Sequence, residues 1–269
     1  MKGIIDELKS ELGSVTLVAV SKTKSNEDIM KVYDLGVRDF GENYVQELVS
    51  KMDTLPQDIK WHMIGHLQTN KVKELVKRNI YLIESVDSIK LAKEINKEAI
   101  KNNKVVNILI EVKISNDINK TGCSVEDLDY LINEANNLSN IKLLGLMCIA
   151  PLTDDEDKIR SSFKEMKKIK DKYKLELLSM GMSSDYRVAI EEGSNIVRIG
   201  TKIFGERNYN RWLLFDLMFN DNKGENKDNK THEDWEEEKE KLIKEEKYDE
   251  YNFEEEELEE DDYYYEDDK

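Results

Sequence analysis

The sequence predicts an α/β protein built as a single (β/α)8 TIM barrel, and three observations lead there. Short apolar segments alternate with amphipathic helical ones about eight times within residues 1–209 of a 269-residue chain. Eight such units in just over 200 residues is the size of a barrel. The apolar segments are near-continuous, as in residues 16–20 (TLVAV) and 105–112 (VVNILIEV), which fits parallel strands covered on both faces by helices. No GxGxxG follows the first strand, so an open doubly wound sheet is disfavoured.

Each element has its own signal. Residues 1–12 have apolar positions at helical spacing and acids among them, which reads as an amphipathic helix and not as a signal peptide. The first strand, 16–22, ends abruptly in Ser21, Lys22, Thr23 and Lys24, and Ser25-Asn26-Glu27-Asp28 starts a helix that runs to Gly36. A second strand around 38–40 leads through Gly41-Glu42-Asn43 into helix 44–52. The third, 61–65, is followed by a basic helix ending at Arg78, and the fourth, 81–86, by helix 88–102. The fifth, 105–112, precedes a polar loop at 115–122 and helix 125–138. The sixth, 142–149, is closed by Ala150-Pro151 ahead of helix 155–173. The seventh, 175–180, leads through Gly181-Met182-Ser183-Ser184-Asp185 to a helix ending at Glu192, and the eighth, 195–199, runs into Gly200-Thr201.

The formal charge of −17 is unevenly spread. Residues 210–269 carry nine Lys and Arg against 25 Asp and Glu, a net −16, which leaves −1 for residues 1–209. The expected domains are therefore a barrel over 1–209 and an acidic low-complexity extension over 210–269. That extension is expected to be disordered or partly helical, with an exposed charge-paired helix over 235–247. No basic stripe indicates nucleic acid. Two cysteines, Cys123 and Cys148, without CxxC spacing fit a reducing cytoplasm. No apolar run reaches the length of a membrane span. The apolar run 211–219 is expected to dock on the barrel, with a peripheral membrane or protein contact as the alternative.

A barrel places chemistry at the carboxyl ends of its strands and phosphate after strands seven and eight. Lys22 ends the first strand and Asn43 follows the second. Ser183 and Ser184 follow the seventh, and Gly200 and Thr201 the eighth. Ser183 or Asp185 is expected to cap the following helix, whose free amides then face an anion. A lysine opposite a phosphate site suggests a Schiff base to a phosphorylated aldehyde or ketone. That leaves pyridoxal 5′-phosphate (PLP) or a sugar phosphate in an aldolase. Arg198, charged within an apolar strand, needs a partner. Either a pyridine nitrogen or an acid on a neighbouring strand serves. His62 and His66 read as pocket-mouth or satisfied structural histidines. No His/Cys/Asp cluster has metal-ligand spacing, and no metal is expected.

Six runs make the sequence resemble a known family. They are LVAVSKTK (17–24), FGENYVQE (40–47), WHMIGHLQTNK (61–71), LLGLMCI (143–149), LSMGMSSDY (178–186) and VRIGTKIFGER (197–207). Spread in order over residues 1–209, they resemble the pyridoxal phosphate homeostasis proteins (YggS/PROSC-type), which are similar to the barrel domain of alanine racemase. The resemblance implies PLP carried on Lys22 as a Schiff base, with Arg198 at the pyridine nitrogen. It also implies Ser183, Gly200 and Thr201 at the phosphate and Asn43 near the ring. Met182 matches as a further cofactor contact, Asp185 matches too, and Met147 reads first as core. Ser184 falls at a variable position. The opening helix is shorter than usual, Arg187 stands where an acid is common, and Lys202 and Glu206 replace small residues. Residues 210–269 lie outside the family.

The expected function is that of a PLP carrier or buffer in vitamin B6 and amino-acid homeostasis, without strong catalytic activity, in the cytoplasm. PLP-dependent apoenzymes are its expected partners. A guanidinium beside the pyridine nitrogen opposes its protonation and weakens the electron sink, and nothing in the sequence nominates a second base opposite Lys22. The alternative is a single-domain PLP-dependent enzyme such as a slow amino-acid racemase.

Overall fold

The computed structural model describes residues 1–114 and 121–205. Eight parallel strands close into a barrel in sequence order. They are β1 (Thr16–Val20), β2 (Asp39–Glu42), β3 (Lys60–Met63), β4 (Leu82–Val86), β5 (Val106–Glu111), β6 (Ile141–Met147), β7 (Leu177–Ser179) and β8 (Ile196–Ile199). The helices are α1 (Lys2–Leu12), α2 (Asn26–Asp34), α3 (Val45–Thr54), α4 (Val72–Val76), α5 (Ile89–Lys101), α6 (Leu128–Asn136), α7 (Glu156–Lys172), α8 (Tyr186–Glu191) and α9 (Thr201–Phe204). The barrel expected from the alternation is the barrel found. The expected extension over 210–269, its helix at 235–247, the run 211–219 and Glu206 all lie outside the described residues.

Local chemistry accounts for the helix starts. Ser25 Oγ accepts the Asp28 amide at 3.3 Å, with Glu27 and Asp28 in the positive first turn of α2. Ser88 caps α5 through the Leu91 amide, and Asp155 caps α7 through Asp157 and Lys158. α6 begins at Leu128 and not at 125, residues 125–127 forming a turn in which Ser124 Oγ accepts the Asp127 amide at 3.1 Å, and α9 is a single turn that sequence reading missed.

β1 pairs with β8 (Val18 opposite Arg198) and so closes the sheet. Every strand then has an outward face packed under helices and an inward face in the lumen. Phe40, Trp61, Met63, Ile83 and Ile108 belong to the outer core beneath α1–α5, and Ile110, Leu146, Leu178 and Met180 to the outer core beneath α6–α8. The lumen has a small apolar cluster of Val18, Leu82, Leu109, Met147 and Ile196. Met147 is thus core, as expected. The next inward residues along β2, β3, β4, β7 and β8 are polar, and they build the site.

Candidate functional site

Lys22 lies just past β1, in a tight turn closed by the Lys24 amide on Ser21 O at 3.0 Å. Thr23, third in the turn, has φ +63°. Glycine or asparagine normally fills such a position, and a β-branched residue there is strained. Asn43 occupies the matching place after β2. It sits against Gly65, beyond β3, where an added Cβ would lie 2.5 Å from Asn43 O and 2.8 Å from Asn43 Cβ. Only glycine at 65 lets the two loops approach so closely.

Arg198 is buried inside the lumen. Its Nη1 donates to Ser179 Oγ at 2.7 Å and its Nη2 to Cys148 O at 2.9 Å. Ser179 Oγ donates in turn to Glu84 Oε2 at 2.5 Å, and His62 Nδ1 faces Glu84 Oε1 at 2.6 Å. His62 Nε2 faces Asp39 Oδ1 at 3.2 Å. The chain Arg198–Ser179–Glu84–His62–Asp39 crosses the lumen with alternating charge. Burial alone would lower the His62 pKa, but the carboxylates of Asp39 and Glu84 outweigh it and hold His62 above its ordinary value. Burial would likewise raise Glu84, yet His62, Arg198 and Ser179 keep it below the ordinary carboxylate range. Of the two partners expected for Arg198, no acid among the described residues is bonded to it directly. Ser179 stands between it and Glu84 on β4.

Ser183 follows β7, and Gly200 and Thr201 follow β8, on the two sides of the seam between these strands. The Arg198 amide donates to Gly181 O at 2.9 Å, which ties the loop after β7 to β8. Gly181 has φ +97°, and a Cβ there would strike Ala189 Cβ at 2.6 Å, so the loop can hug α8 only with glycine. The expected side-chain cap differs. Asp185 is the N-cap by position, but its carboxylate turns back to accept the Met182 amide at 2.6 Å and makes no cap bond. The amides of Ser183, Ser184 and Gly200 have no acceptor among the described residues. Gly200 packs against β1, its Cβ position 3.4 Å from Val20 Cβ. The seam therefore adjoins the strand that leads to Lys22. Met182 is 36% exposed at the rim. His66 also lies on the rim, its Nδ1 3.5 Å from Asp87 Oδ2.

The unusual residues Arg187 and Lys202 join this corner to α1. Arg187 Nη2 donates to Glu11 Oε1 at 2.8 Å, and Lys202 Nζ to Glu7 Oε1 at 2.9 Å and to Tyr186 Oη at 2.8 Å. Tyr186 Oη donates to Glu11 Oε2 at 2.5 Å. Hydrogen bonds from Arg187 and Tyr186 bring the Glu11 carboxyl down to about 2. These substitutions thus face the first helix and lie outside the lumen. A cavity of about 280 Å³ lined by Met52, Pro56, Trp61 and Arg78 opens at the amino end of β3, the opposite end from Lys22.

Sequence reading missed Asp39, Glu84 and Ser179 and left the role of His62 open. The available signal was a carboxylate or histidine at an inward position of an otherwise apolar strand, as in Leu82-Ile83-Glu84-Ser85-Val86.

The class of protein is set by the family model described as alanine racemase, N-terminal domain, which matches residues 4–208. The alanine racemase of Clostridium difficile shares the fold, with a TM-score of 0.65 at 16% identity, over 77% of this chain and 56% of that one. The chain belongs to the pyridoxal phosphate homeostasis protein family. The member from Aquifex aeolicus is 44% identical over 200 residues, 72% of this chain and 87% of the relative. PipY of Synechococcus elongatus, solved with PLP bound, superposes with a TM-score of 0.71 at 34% identity, over 76% of this chain and 99% of its own.

Proposed function

We propose that this chain binds PLP at the carboxyl end of its barrel and serves as a carrier or buffer in vitamin B6 and amino-acid homeostasis. The relatives named pyridoxal phosphate homeostasis protein and the PLP complex of PipY support this reading. The observation that carries it is the joint placement of three features. A lysine follows β1, a buried guanidinium faces the lumen from β8, and unclaimed amides line the seam between β7 and β8. This donor set suits the group: an amine for an aldehyde, a cation for a ring nitrogen, and amides with hydroxyls for a phosphate dianion.

When bound, PLP supplies an aldehyde carbon with which the Lys22 amine condenses, forming a C=N bond and releasing one water. Arg198, anchored by Ser179 and Cys148 O, is the residue for the pyridine nitrogen; a fixed positive charge there disfavours a proton on that nitrogen. Ser183, Gly200 and Thr201 hold the phosphate, with Met182 at the rim and Asn43 beside the ring. The carrier reading makes PLP-dependent apoenzymes the recipients. No helix among the described residues is long and apolar enough to cross a membrane.

Titrating PLP into the full-length protein is expected to raise a visible absorption band that saturates at one equivalent. The loaded protein is expected to restore activity to an apo PLP-dependent enzyme and to give no steady amino-acid turnover. Steady racemisation would favour the enzyme reading instead, and a colourless mixture would contradict both.

A further inference from the structure

A second buried charge cluster lies on the outer side of the barrel, apart from the lumen chain. Lys51, on α3, donates all three of its ammonium protons: to Ser21 O at 2.8 Å, Glu42 Oε1 at 2.7 Å and Glu47 Oε1 at 2.6 Å. Glu42 Oε1 also accepts from Ser21 Oγ at 2.6 Å, and Glu47 Oε1 from the Thr23 amide at 2.7 Å. Glu42 and Lys51 are almost wholly buried, and Glu47 is 18% exposed.

Three bonds from this cluster therefore end on the residues immediately before and after Lys22. Buried ion pairs stabilise folds poorly compared with apolar residues of like volume, so docking α3 on the barrel does not account for the cluster. An apolar pair could not, however, ligate Ser21 O, Ser21 Oγ and the Thr23 amide. Thr23 is the strained member of the turn, and such strain persists only where the surroundings over-determine it. We propose that Glu42, Lys51 and Glu47 form a positioning clamp that fixes the Ser21–Thr23 backbone and so sets the direction and reactivity of the Lys22 amine. The proposal rests on the reading of Lys22 as the residue that bonds PLP. Lys51 and both glutamates act through the backbone and are not catalytic residues.

The test uses Glu47→Ala in the full-length protein, because Lys51→Met would strand the buried Glu42 carboxylate and risks misfolding. Glu47→Gln is the conservative control: its side-chain carbonyl still accepts from Thr23 and Lys51. Two quantities are read: PLP affinity by absorbance, and the pH dependence of Lys22 acylation in the cofactor-free protein by peptide mass spectrometry. Glu47→Ala is expected to weaken PLP roughly tenfold, the size of one charge-assisted hydrogen bond, and to shift the Lys22 acylation profile. Glu47→Gln is expected to restore both.

Wild-type affinity and an unshifted profile in Glu47→Ala would overturn the clamp, while PLP bonded to Lys22 in the wild type would leave the functional reading standing. A shifted profile rescued by Glu47→Gln, with PLP bonded elsewhere, would support the clamp and overturn that reading.

Discussion

Ser179→Ala tests the lumen chain at its narrowest point. Ser179 Oγ is the single atom between the Arg198 guanidinium and Glu84, at 2.7 and 2.5 Å, in a fully buried position. Removing it deletes two hydrogen bonds to charged groups, each worth about 1.5–3 kcal/mol. Arg198 keeps Cys148 O and Glu84 keeps His62, so the loss falls at the low end of the sum, about 3 kcal/mol. In a domain of this size that corresponds to roughly 6–12 °C in thermal midpoint. The assay is urea unfolding followed by far-UV circular dichroism at pH 6, with the slope of the transition checked against the parent protein. PLP affinity is expected to fall as well, because Arg198 loses one of its two anchors. A stability change below about 0.5 kcal/mol, within the range of ordinary surface substitutions, would refute the reasoning.

Other expectations follow from the same geometry. His62 has a raised pKa in the folded state, so its stabilisation is complete below its ordinary value of 6.5 and is lost as pH rises through the folded value. Burial lifts Glu42 to about 7 against the pull of Lys51; the folded chain then holds a proton that the unfolded chain releases above 4.5, and stability falls across that interval. Glu84, lowered, acts oppositely: its contribution is complete above its ordinary 4.5 and is lost as pH falls through the folded value. Thermal midpoints are therefore expected to peak near about pH 5–6 and decline toward pH 8, with a shallower decline in His62→Gln; a midpoint rising from pH 6 to 8 would contradict this. Gly65→Ala drives a Cβ into Asn43 O at 2.5 Å and is expected to lose about 1–3 kcal/mol and to weaken PLP; unchanged urea and absorbance titrations would show that Asn43 is not held there. Deleting residues 210–269 is expected to leave PLP binding intact, and its loss would move the domain boundary.

The barrel was legible because a strand buried on both faces has to be almost uniformly apolar, and runs such as residues 105–112 betray themselves. The places of Lys22, Asn43, Ser183, Gly200 and Thr201 beyond the carboxyl ends of β1, β2, β7 and β8 were legible for a related reason, because the strand–helix alternation itself marks where each strand stops. The lumen chain was harder to read. Glu84 and His62 stand at single inward positions, and only the closed register brings β4 and β3 together with Ser179 on β7. Lys51 was less legible still. Four residues after Glu47 on a helix, it has the pattern of a solvated ion pair, and nothing local says that α3 turns that pair inward onto Ser21. Asp185 shows the reverse limit. The sequence offered Ser183 or Asp185 as the cap; Asp185 takes the N-cap position, but its carboxylate accepts from Met182 N and not from the helix amides.

The most direct test of the central claim is borohydride reduction of the PLP-loaded protein followed by peptide mapping. The account predicts a single phosphopyridoxyl modification, on Lys22. Modification confined to other lysines, or none at all, would contradict it.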